Sequence, residues 1–87
     1  MKYHYVICNQ PDEVLFRKQC AALEHHLPGL EKEALLTDVD GSQIQCYRFH
    51  GRELVVKNSY YLQELTVDAQ EDLEGWFQKK EKSPDML

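Results

Sequence analysis

Long apolar runs are missing from this 87-residue sequence. None approaches the roughly 20 residues that a membrane-crossing helix needs. The opening MKYHYVICNQ is no better as a secretory signal, because His4 interrupts its short apolar stretch and Asn9 ends it. Basic residues are also scarce: 10 lysines and arginines stand against 15 acids, for a net charge of -5. A protein that grips a phosphate backbone needs a positive surface field, so this balance disfavours nucleic acid as a partner. Cys8, Cys20 and Cys46 are an odd set at wide spacings, with no Cys-x-x-Cys pair. Such usage suits reduced thiols rather than a disulfide framework, and the expected location is the cytoplasm.

What is present is enough apolar material for one modest core, 43% of the residues. A single domain is expected over residues 1–82, followed by a flexible tail at 83–87. Tyr3 to Cys8 are aromatic and β-branched with apolar groups at both parities, which suggests a central strand. Asn9 or Gln10 then serves as a cap and Pro11 as a first helical residue, with Asp12 and Glu13 near the positive end of the dipole. Phe16, Cys20, Leu23 and Leu27 recur at four, three and four, the buried stripe of an amphipathic helix that Pro28-Gly29 ends.

Residues 33–39 read as a strand, with Leu35, Thr37 and Val39 on one side and Ala34 and Leu36 on the other. Asp40-Gly41 lies between this strand and SQIQCYRF, and Asp-Gly in that position signals a hairpin with a type I′ turn. The pattern His50-Gly51-Arg52-Glu53 marks another turn, ELVVK another strand, and YYLQELTV a further one. Between Ile44 and Phe49 the apolar parity changes, which a bulge or burial on both faces would explain. A second helix is predicted from Asp68, capped with Glu71 and burying Ala69, Leu73, Trp76 and Phe77. The expected fold is therefore α+β: one antiparallel sheet of four or five strands with two helices on one face, in the order β-α-β-β-β(-β)-α. The sheet face opposite the helices is then polar or meets another chain.

The stretch Ala34 to Ser42, ALLTDVDGS, resembles the first motif of the haloacid dehalogenase-like phosphatases. That resemblance implies Asp38 as nucleophile, Asp40 as acid/base, bound Mg²⁺ and a doubly wound parallel sheet. It covers about nine residues, and the rest of the chain departs from it. Lys57 precedes Ser59 where the family has the reverse order, and no helical crossover pattern lies between Asp40 and Asp68. Asp68 and Asp72 have the spacing of paired metal-holding aspartates, yet also suit a helix start. The hairpin turn is the better reading of Asp40-Gly41. A calcium loop fails as well, because with Gly41 sixth the first and twelfth ligands would be Leu36 and Tyr47.

No metal site, cofactor or catalytic constellation is expected. His25 and His26 are sequence neighbours whose side chains diverge on a helix, and Cys46 and His50 lie about 13 Å apart along a strand. Tyr3, Tyr5, Tyr47 and Phe49 resemble a base-stacking platform, but the RNA-binding sequence pattern is absent and the surface is acidic. The function expected from the sequence is a small non-catalytic domain that binds a protein partner or a second copy of itself, such as an acidic inhibitor, immunity-type or adaptor protein. Tyr47, Phe49, Tyr60 and Tyr61 are its candidate contact residues, since tyrosine is enriched at interfaces and one of the adjacent pair would point away from the helices.

Overall fold

The computed structural model describes residues 2–73. In chain order these form β1 (Tyr3–Cys8), α1 (Glu13–His26), β2 (Glu31–Thr37), β3 (Gln43–Phe49), β4 (Arg52–Ser59) and β5 (Glu64–Ala69). All pairings are antiparallel, and the five-stranded sheet runs β1-β5-β4-β3-β2. The first strand is thus placed at one edge by the last, while β2 forms the other edge. The doubly wound parallel sheet implied by the phosphatase resemblance is not this fold.

The helix starts at Glu13, two residues later than the first helical position expected for Pro11. Asp12 is the N-cap, with φ −155°, and its carboxylate accepts from the Leu15 N–H at 3.0 Å. The Asp12 N–H itself donates to Asn58 Oδ1 at 2.9 Å, so a fully buried amide on β4 fixes where the helix meets the sheet. Phe16, Cys20, Leu23 and Leu27 are all buried, as their spacing foretold. They pack against Tyr47, Leu54, Val56, Leu65, Val67 and Ala69 from the sheet. At one end Leu73 closes this core, its N–H donating to the Tyr5 hydroxyl at 2.7 Å.

Several expectations need correction. β1 is an edge strand rather than a central one, and Val6 on its outer face is 48% exposed. Among the described residues there is one helix, not two. Asp68 and Ala69 continue β5, with His4 Nδ1 bonded to the Asp68 carboxylate across the strand pair. Glu71 faces His50 at 2.9 Å instead of capping a helix. A cross-strand partner for Asp68 outweighs its local preference as a cap. Trp76, Phe77 and the tail at 83–87 lie outside the described residues.

The turns also differ in kind. His50 (φ 55°) and Gly51 (φ 75°) both have positive φ between the paired residues Phe49 and Arg52, as a type I′ turn requires. At the Asp40-Gly41 hairpin only Gly41 (φ 90°) is positive. There Asp38 C=O accepts from Gly41 N–H at 3.0 Å, and Asp38 N–H donates to Ser42 C=O at 2.8 Å. That is the three-residue loop in which a turn is followed by a left-handed glycine. The parity change in β3 is not a bulge against β4, whose register is continuous. The irregularity is on β2, where Glu33 and Ala34 together oppose Cys46. Gln45 takes the inward position, and its amide donates to Glu33 C=O at 3.0 Å and Ala34 C=O at 3.3 Å.

A candidate binding surface at the β2 edge

β2 extends beyond the cover of α1. Every residue from Glu31 to Thr37 is exposed, and the two large apolar ones, Leu35 and Leu36, are each 52% exposed. Pairing fixes their directions. Leu35 stands opposite Gln45 and shares the α1 side; Leu36 stands opposite Ile44 and shares the other. Apolar surface is therefore displayed on both faces of one edge strand.

The apolar strip continues into the loops at this end of the sheet. Val39 at the tip of the β2–β3 loop is fully exposed; in the β4–β5 loop Tyr61 is 85% and Leu62 55% exposed. The two loops are fastened together. Ser42 Oγ accepts from the Tyr60 N–H at 2.9 Å, and the Tyr60 ring lies over Gly41, where a Cβ would be 3.6 Å from it. Asp38 accepts from the Val39 N–H at 2.7 Å, while Asp40 accepts from the Ser42 N–H at 2.9 Å. Residues 59–63 are held likewise, with Leu62 N–H on Ser59 Oγ at 2.9 Å and the Gln63 amide on Tyr60 C=O at 2.6 Å. These bonds fix the shape of both loops.

Two concavities flank the edge. On the α1 side a groove of about 330 Å³ is lined by Phe16, Cys20, Leu35 and Gln45 among others. On the opposite side a bay of about 390 Å³ lies between the loops, with Ile44 and Lys57 in its floor and Asp38, Asp40 and Tyr61 around it. In the groove, burial pushes the Cys20 thiol above its ordinary pKa, which keeps it protonated and a poor nucleophile.

The bay brings together pieces scattered along the sequence: Asp38, Asp40, Lys57 and Ser59. Three of these side chains also serve the loops, Asp38, Asp40 and Ser59 each accepting a backbone N–H. The Ser42 backbone N–H, and then its hydroxyl, hold the Asp40 carboxyl below its ordinary pKa. A depressed folded pKa gives stability that is present above the unfolded value near 3.8 and is lost as pH falls through the lower folded value. Acid titration followed at the Ser42 amide by NMR should therefore show its transition below 3.8, and Asp40→Asn should remove that transition. Asp68 and Asp72 take no part in the bay; they meet His4 and Tyr5 instead. Among the described residues, no group of three or more His, Cys, Asp or Glu side chains could hold a metal ion.

The four contact residues expected from sequence divide sharply. Tyr47 is fully buried and Phe49 is 8% exposed, both facing α1, so neither offers a contact surface. The Tyr47 hydroxyl donates to Glu24 at 2.6 Å; burial, then that carboxylate, drive its pKa upward. Tyr60 and Tyr61 are exposed, but they belong to a turn rather than a strand, so the alternation that was to direct them does not apply. Leu35, Leu36, Val39 and Leu62 went unnamed as contact residues. Adjacent leucines in a strand beside a charged Glu-Lys-Glu run were the available signal, since alternation must send one to each face.

Among the described residues no helix is long and apolar enough to cross a membrane. Comparison with protein-family models, with curated proteins and with solved structures yields no match to this chain, so its chemistry is read from the surface just described.

Proposed function

We propose that this chain is a small non-catalytic protein-binding domain whose contact surface is the β2 edge with its adjoining loops. The observation that carries this reading is the exposure of Leu35, Leu36, Val39, Tyr61 and Leu62 along one edge and one end of the sheet. Single exposed apolar residues are ordinary on soluble proteins, but a set of them rimmed by charge marks an interaction site. The acidic balance of the chain suits an inhibitor or adaptor that meets a basic partner. Self-association through the same edge is the second reading, favoured by the open strand.

Leu36→Asp combined with Tyr61→Ala tests the surface. Both side chains are at least half exposed, so the melting temperature should change little. Retention of a specific partner from native cells should fall by roughly tenfold or more, as when central apolar contacts are lost. Unchanged capture together with an unchanged sedimentation profile would reject the surface. Mg²⁺-dependent hydrolysis of a phosphate ester that vanishes in Asp38→Asn would reject the non-catalytic reading itself.

A further inference from the structure

We propose that the partner docks as a sixth strand: an extended segment of alternating basic and apolar residues pairs with the Leu35–Thr37 end of β2. This inference rests on the protein-binding reading and specifies its ligand. Three observations support it.

The first is the backbone. Asp38 and Ser42 form a hydrogen-bonded pair, so alternation makes Leu36–Ile44 bonded and turns the N–H and C=O of Leu35 and Thr37 outward. The first half of β2 is blunted by Glu31-Lys32-Glu33 and by its bulge, both of which discourage edge pairing. Beyond the bulge, which takes in Glu33 and Ala34, the strand has neither protection. There its side chains are two leucines and a threonine.

The second is the pair of concavities. An added strand would direct alternate side chains to the two faces of the sheet. On one face they would lie beside the groove bordered by Leu35, and on the other beside the bay floored by Ile44. Strand addition draws affinity from main-chain bonds and selectivity from such pockets.

The third is charge. Residues 31–42 carry Glu31, Glu33, Asp38 and Asp40 against one lysine, Lys32. Lys32 already faces Glu24 on α1 at 3.4 Å, and Arg48 on β3 donates to Glu33 at 3.2 Å, so the excess acids of the strip are Glu31, Asp38 and Asp40. A second copy would bring the same net negative charge to this edge, although antiparallel pairing about Leu35 sets Asp38 opposite Lys32, whereas lysines or arginines on an incoming strand would neutralise it. The occupant that fits is therefore a basic segment rather than another copy of this chain.

A short synthetic peptide of alternating lysine and valine is the probe, with an alternating glutamate–valine peptide as its counterpart. Fluorescence anisotropy should show the basic peptide binding roughly tenfold more tightly at low salt. N-methylation of alternate backbone nitrogens keeps the side chains and charge but removes the ladder donors, so it should abolish binding. Leu35→Pro, which removes an outward N–H and leaves the bonds to β3 in place, should weaken the unmodified peptide by a similar factor. Absence of binding, equal binding of the two peptides, or full retention by the N-methylated peptide would overturn the proposal. So would a stable dimer dissolved by Leu35→Pro, which would give the edge to a second copy. Failure here while Leu36→Asp/Tyr61→Ala still loses its captured partner would remove strand addition alone and leave the protein-binding reading intact.

Discussion

Leu23→Ala should destabilise the protein by about 2–5 kcal/mol, the usual cost of emptying a leucine site in a packed core. Leu23 is fully buried and belongs to the stripe that joins α1 to the sheet. The lost methyl groups forfeit their transfer free energy, and the cavity left behind forfeits contacts around it. The rigid antiparallel ladders beneath leave little room for collapse into the space. For a domain of this size the melting temperature should drop by on the order of 10 °C or more. Leu36→Ala is the natural comparison, a similar truncation at a side chain 52% exposed on the edge strand. It should stay within about 0.5 kcal/mol of the wild type. Calorimetry or thermal circular dichroism on both variants separates the leucine that holds the fold from the leucine that is displayed. Near-equal losses would mean that the edge is covered.

The helix was readable from its spacing because Phe16, Cys20, Leu23 and Leu27 satisfy one periodicity and all meet the same sheet. The hairpin at Asp40-Gly41 was readable because a left-handed residue was needed and glycine supplies it cheaply. The type I′ geometry was placed at the wrong turn. Histidine at position 50 tolerates positive φ less readily than glycine, and closure of the β3–β4 ladder outweighs that preference. The edge position of β1 was hidden, because apolar groups at both parities suit a central strand and a helix-covered edge strand alike. Asp68 shows a tertiary partner overriding a local preference: its bond to His4 makes a strand residue of a good helix cap.

The candidate surface was partly readable. Tyr60 and Tyr61 were singled out for their amphipathic character, and both are exposed, although a turn rather than strand alternation presents them. Tyr47 and Phe49 could not be separated from surface aromatics without knowing the face of β3 on which they lie. That parity was obscured by Gln45, a polar residue at an inward position whose amide is satisfied by the bulged backbone of β2. The open edge itself follows from sheet order, a long-range property set by β5 returning beside β1. No local pattern encodes it.

The central claim is that the second half of β2 is an uncovered strand edge with one side of its backbone satisfied and the other facing solvent. Amide hydrogen exchange, resolved by NMR on the free protein, tests it at single residues. The Leu36 amide, turned toward Ile44, should be protected by about a hundredfold or more, equivalent to a local opening cost of about 3 kcal/mol. The amides of Leu35 and Thr37, turned outward, should exchange at nearly the rate of an unstructured chain. Uniform protection of residues 35–37 would contradict the account, because it would mean that something already occupies the edge.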